Sequence, residues 1–159
     1  MPDRKAQDRP NTSFMVHPPI VALICIGIAY LLGRVIPLPF AVPMILRYIG
    51  LALTILGVLL GFGAFIEFQK AQTTLDPHGS TTQLVTSGIY RFSRNPIYLG
   101  LLFFVIGLPL CAGSYWGIVI APLYIFLMNH LVIQHEEVYL EQKFGEFYTG
   151  YQSRVRRWV

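Results

Sequence analysis

The segment Leu84-Val-Thr-Ser-Gly-Ile-Tyr-Arg-Phe-Ser-Arg-Asn-Pro-Ile-Tyr-Leu-Gly100 decides how the rest of the chain is read. Up to Arg94 it is largely polar and carries two cations, Arg91 and Arg94. Beyond that it runs through Asn95-Pro96 into an apolar stretch. Proline in the first helical turn loses nothing by lacking an N–H, and an Asn or Ser just ahead of it can cap. A helix is therefore predicted from Pro96, with its free N–H groups and positive dipole end near Arg91, Arg94 and Tyr98. Such a junction makes an anion site at a membrane surface. The plainer reading is a capped helix start whose two arginines grip lipid phosphates.

Composition places that helix in a bilayer. Of 159 residues, 54% are apolar and 13% charged, about half the usual charged share. The length fits one domain, and the apolar residues come in long runs, as in an integral membrane protein. Cys25 and Cys111 both fall in apolar runs and read as small buried hydrophobes. No zinc-like Cys/His spacing occurs, so no metal site is expected. The net charge of +4 is spread over segments flanking the apolar runs, which favours lipid headgroups over nucleic acid as the partner.

Four spans follow in order, at about 19–36, 48–66, 96–111 and 115–133, making an all-α membrane protein with a C-terminal segment over 134–159. Pro37, Pro39 and Pro43 separate the first two, and the polar residues from Gln69 to Thr86 read as a loop. Gly57 and Gly61 have the small-xxx-small spacing that lets another helix approach, with Gly50 earlier in the same span. Pro109 kinks or shortens the third span, and Gly113-Ser114 turns the chain into the fourth. Asn129, His130 and Gln134 cluster near the end of the fourth span. Alternating the spans puts Arg4, Lys5, Arg9, Lys70, Arg91, Arg94, Lys143, Arg154, Arg156 and Arg157 on one side. Only Arg34 and Arg47 fall on the other. By the positive-inside rule both termini and the long loop are cytoplasmic.

The tail beyond span four reads as a helix leaving the membrane, a break at Gly145, and an amphipathic stretch at the interface, with Trp158 and the arginines in the headgroup layer. Glu136 and Glu137 do not suit a mere anchor, because paired acids beside an anionic surface need something cationic to meet them. Topology brings them to the same end of the bundle as Tyr90–Tyr98. One segment then offers cations and N–H donors and the other carboxylates, a pairing complementary to a zwitterionic ligand with an α-amino and an α-carboxyl group.

These residues carry a resemblance. Leu84-Val-Thr-x-Gly-Ile-Tyr90, Arg94-Asn-Pro-Ile-Tyr-Leu-Gly100, and Glu136-Glu-x-x-Leu140 followed by Phe144-Gly145, Tyr148 and Tyr151 resemble the isoprenylcysteine carboxyl methyltransferase and phospholipid methyltransferase superfamily. The resemblance covers roughly the last half of the chain. It implies a single membrane methyltransferase domain using S-adenosylmethionine without a Rossmann domain. The implied cofactor pocket holds Tyr90, Arg94, Asn95, Pro96, Tyr98, Leu99 and Gly100, closed by Glu136 and Glu137. Asn95 stands where many relatives have His, and Val132 where the carboxyl methyltransferases tend to have Arg. Asn cannot titrate, which rules out a general base at position 95. The Arg-Asn-Pro form and the Val-Arg-Arg-Trp ending resemble the bacterial branch, implying a bacterial inner membrane.

The expected reaction moves a methyl group to a lipophilic acceptor, a prenylcysteine carboxyl, a phospholipid amine or a thiol. Glu136, Glu137 and Arg91 are the candidate catalytic residues. Two other classes stay open. One is a nicotinamide-dependent membrane reductase, since sterol reductases are similar in their C-terminal membrane region. The other is a non-catalytic small membrane protein. The Gly57/Gly61 face can pack within the chain or against a second copy.

Overall fold

The computed structural model describes residues 16–71 and 83–159, and among them every regular element is helical. In chain order these are α1 (Pro18–Val35), α2 (Met44–Lys70), a 3₁₀ turn (Gly88–Arg91) and α3 (Pro96–Cys111). There follow α4 (Trp116–Met128), a π-helical turn (Asn129–Ile133), α5 (Gln134–Phe144) and α6 (Glu146–Gln152). The basic N-terminal tail and most of the Gln69–Thr86 loop lie outside the described residues.

Three helical stretches are long and apolar enough to cross a membrane: Pro18–Val35, Met44–Lys70 and Trp116–Phe144. The last is α4, the π turn and α5 in one unbroken rod. Their outer faces are strongly apolar, with Leu23, Leu31, Leu59 and Phe62 each more than half exposed. Water does not tolerate so continuous an apolar surface, and lipid does. The fourth predicted span, α3, has 16 residues, about 24 Å at 1.5 Å per residue against a hydrocarbon layer of about 30 Å. It is the interior helix, packing on α1, α2 and α4.

Glycines fix how α2 meets α3. A Cβ on Gly50 would lie 2.8 Å from the Gly107 carbonyl oxygen, and one on Gly57 would lie 2.7 Å from that of Gly100. The reciprocal distances from Gly107 and Gly100 are 2.6 and 2.9 Å. Spaced seven apart on each antiparallel helix, these pairs are two turns apart on one face, so the backbones touch directly. Gly61, expected to share the seam with Gly57, has nothing within 4 Å of its Cβ position. The seam therefore follows the seven-residue repeat and not the four-residue one. Gly117 gives α4 an equally close approach to α3, 2.5 Å from the Val105 carbonyl. That carbonyl has no i+4 donor, because position 109 is proline.

The main core lies between α1, α3 and α4: Cys25, Ala29, Val105, Tyr124, Met128, Val132 and Ile133 are all almost fully buried. Tyr124 donates to the Tyr98 carbonyl at 3.1 Å, so the buried hydroxyl is satisfied and α4 is pinned to the first turn of α3.

Replacing Gly57 or Gly107 with Leu should lower stability by about 1–3 kcal/mol through overpacking. Gly61→Leu should change it little. Thermal melts of the three variants in detergent measure the difference, and equal melting of all three would refute the seam.

Candidate functional site

The loop ahead of α3 is held from below by the chain's last residues. Arg94 N–H donates to the Arg156 carbonyl at 3.0 Å, and the Asn95 side-chain amide donates to the Arg157 carbonyl, also at 3.0 Å. Asn95 occupies the N-cap position but makes no side-chain cap, because its amide is spent on the tail. The Ser93 hydroxyl, on a residue only 3% exposed, accepts the Asn95 N–H at 3.1 Å. A local Ser-Asn turn thus replaces the expected cap and presents Arg94 inward.

Charge organises what Arg94 meets. Arg157 grips Glu137 with two bonds, Nε to Oε1 at 3.0 Å and Nη2 to Oε2 at 2.5 Å. Arg94 Nη1 lies 3.1 Å from the same Oε1, an ion pair without the alignment of a hydrogen bond. Arg94 and Glu137 side chains are only 12% and 14% exposed. The hydrogen bond to Glu137 pushes the Arg157 guanidinium above its ordinary value, so it stays charged at any accessible pH. Two cations share one anion, and the cluster carries a surplus positive charge. Arg94 Nε and Nη1 are buried and donate no hydrogen bond among the described residues. Buried donors without an acceptor are uncommon in a folded chain, and a further oxygen anion would satisfy them.

One residue earlier on α5, Glu136 accepts from the Tyr98 hydroxyl at 2.5 Å. That is its one hydrogen-bond partner among the described residues. Tyr98 lies in the first turn of α3, so the bond joins α3 to α5. Tyr151 of α6 donates to the Tyr90 carbonyl at 2.6 Å and closes the same end from the other side. Tyr90 is buried, edge-on to Phe68 at 5.8 Å between ring centres. Burial first, then the neighbouring Tyr151 and Glu136 charges, push its phenol upward, so it stays neutral.

The sequence-predicted residues do not all gather. Arg94, Asn95, Tyr98, Glu136 and Glu137 form one connected set, with Tyr90 at its edge and Pro96 buried beneath it. Leu99 packs against the main core. Gly100 faces α2 in the glycine seam, where it serves helix packing. Arg91 is exposed and lines a separate groove with Lys70 and Phe92. Trp158, read as a headgroup residue, instead packs against the main core and donates to Asn129 Oδ1 at 3.2 Å. Arg157 was not singled out as a site residue. The signal that could have found it was the pair of acids lacking any cation nearby in sequence. Val132, where a carboxylate-holding Arg would stand, is 2% exposed inside the apolar core.

A phospholipid methyltransferase family profile matches residues 45–147, which include α3, the Arg94–Tyr98 turn and both glutamates. The chain belongs to that family. It is 36% identical over 63 residues to an uncharacterized protein of Haemophilus influenzae, a match spanning 40% of this chain and all of that protein. It is 32% identical over 72 residues to the protein-S-isoprenylcysteine O-methyltransferase of Schizosaccharomyces pombe, covering 45% of this chain and 30% of the yeast protein. With a probable protein-S-isoprenylcysteine O-methyltransferase of Oryza sativa subsp. indica it shares 28% identity over 114 residues, 68% of this chain and 58% of the rice protein. This chain thus matches less than two thirds of the length of those two named relatives. No solved structure gives a significant match.

A double-mutant cycle on Glu137→Gln and Arg157→Gln tests the shared ion pair. Each single change should destabilise, and the coupling should be about 1–3 kcal/mol, because removing one partner strands the other in a partly buried place. Additive melting shifts would show that the pair is decorative.

Proposed function

We propose that this protein is an S-adenosylmethionine-dependent membrane methyltransferase acting on a lipophilic acceptor. The observation that carries the reading is the pairing of Arg94, whose buried Nε and Nη1 donate no hydrogen bond although Nη1 faces Glu137, and Glu136, with a carboxylate held by a single phenol. The methionine end of the cofactor has a carboxylate and an ammonium group, and these residues are their complements. The surplus positive charge of the Arg94–Glu137–Arg157 cluster favours the carboxylate. The residues present fit the group.

Bound there, the cofactor supplies a methyl group already activated by a sulfonium. What remains for the protein is alignment and exclusion of water. Arg94 would hold the carboxylate, with Glu137 and Arg157 fixing its guanidinium plane. Glu136 would take the ammonium, with Tyr98 fixing the carboxylate rotamer. Asn95 acts at one remove, by tying the tail carbonyl that keeps Arg157 in place. Tyr90, neutral and bonded through its carbonyl, lines the site without titrating. Among these residues, only Glu136 and Glu137 can receive a proton from an amine or thiol acceptor, and Glu137 is committed to two arginines. Glu136 is therefore the candidate base in this reading, a role that excludes its pairing with the ammonium in the same step. A carboxyl acceptor would need a cation, and Val132 offers none.

The wider setting belongs to the same proposal. It includes four spans with α3 completing the bundle, both ends cytoplasmic, a bacterial inner membrane, and an acceptor arriving from the lipid.

Calorimetric titration of purified protein with S-adenosylhomocysteine is the test. Saturable binding is expected, and Arg94→Gln should weaken it by at least about tenfold, the loss of a charge-assisted contact. Tyr98→Phe should weaken it less. No binding by folded wild-type protein overturns the reading, as does binding that Arg94→Gln leaves unchanged.

A further inference from the structure

A second recess lies where the last two turns of α2 meet the 3₁₀ turn, apart from the Glu136–Glu137 cluster. Gly63, Ile66, Ile89 and Phe92 supply its apolar surface, and Glu67, Lys70 and Arg91 stand along it. Gly63 lets Ile89 pack close against α2 at the floor: a Cβ there would sit 3.2 Å from Ile89 Cγ2. The wall is built around Glu67, only 8% exposed, which accepts from Lys70 Nζ at 2.9 Å and from the Ser87 hydroxyl. Gly88, at φ +57°, brings its backbone against that carboxylate, where a Cβ would lie 2.5 Å away, so only glycine fits.

This wall is neutral within itself, because Glu67 and Lys70 cancel. Arg91 is exposed and pairs with no acid among the described residues, so it is the groove's uncompensated charge. Beside it Phe92 is 77% exposed, and Phe62 and Leu59 continue an exposed apolar surface back along the same side of α2. The groove therefore sits at the end of a helix long and apolar enough to cross a bilayer, at the level where hydrocarbon gives way to headgroups. An occupant needs one negative charge for Arg91 and apolar chains to cover α2. Soluble phosphate has only the first, and a zwitterionic lipid adds a cation that Arg91 repels.

We propose that this groove binds an anionic glycerophospholipid, its headgroup phosphate on Arg91 and its acyl chains along the Gly63–Ile66 side of α2. The site stands independently of methyl transfer.

Native mass spectrometry and melting-temperature titrations on delipidated protein decide it, with dioctanoyl phosphatidylglycerol, dioctanoyl phosphatidylcholine and inorganic phosphate as probes. Phosphatidylglycerol should bind saturably and raise the melting temperature. Arg91→Gln should weaken it about fivefold, the loss of one cation at a lipid surface, and Arg91→Lys should restore most of it. Arg34→Gln, at the end of α1, should leave affinity unchanged. Gly63→Leu crowds Ile89 and reshapes the groove with the charge intact, and should also weaken binding. Wild-type affinity in both Arg91→Gln and Gly63→Leu overturns the proposal. Equal binding of phosphatidylcholine overturns its anionic character, and equal binding of inorganic phosphate reduces the groove to a simple anion site.

Discussion

The carboxylate of Glu137 takes two guanidinium groups at once, and burying three charges at the end of an apolar bundle constrains everything around it. Each ion taken from water costs several kcal/mol, recovered only when geometry is good and remaining donors are met. Arg157 meets Glu137 from the tail and Arg94 from the loop before α3. For both to arrive, the tail must lie under that loop. The backbone bonds from Arg94 to Arg156 and from Asn95 to Arg157 hold it there. The motif and the final residues thus form one structural unit, although some sixty positions separate them.

The glycine seam supplies the frame for that unit. Because α2 and α3 touch backbone to backbone at two levels, α3 lies where its first turn faces the end of the longer α4–α5 rod. The rod has 29 residues and α3 has 16, so the rod runs on past Pro96. Its projecting part carries Glu136 and Glu137 to the level of Tyr98 and Arg94. Unequal helix lengths make the recess in which the charges meet.

Much of this was legible in the residues. Pro96 starts α3 as proline at a first turn should, Gly145 breaks the tail at φ +54°, and the apolar runs give the long helices. The unmatched glutamates called for a cationic partner, and Glu137 has two in Arg94 and Arg157, whereas Glu136 meets the neutral Tyr98 hydroxyl. Partner identity was not legible, since Arg157 reaches Glu137 only after two short helices reverse the chain around Gly145, a geometry that no local spacing encodes. Asn95 looked like a cap because local propensity favours it, yet a tertiary acceptor outcompetes the helix N–H groups. Gly61 looked like part of the seam because four-residue spacing is the commoner signal, whereas the antiparallel contact selects Gly50 and Gly57. Arg91 and Arg94 are three residues apart, and nothing in composition says that a 3₁₀ turn sends them to different places.

The π-helical turn at Asn129–Ile133 sets the register of everything beyond it. A wide turn of this kind holds one residue more than an α-helical turn, so all that follows is rotated by about 100° relative to an unbroken α-helix. Remove the extra residue and each later side chain takes its predecessor's direction. Glu137 would then face Tyr98, and Val138 would be set between two arginines. The chemistry of this end of the molecule thus depends on a single inserted position in an otherwise apolar helix. Shifts of one residue in length there carry far more weight than changes of residue type.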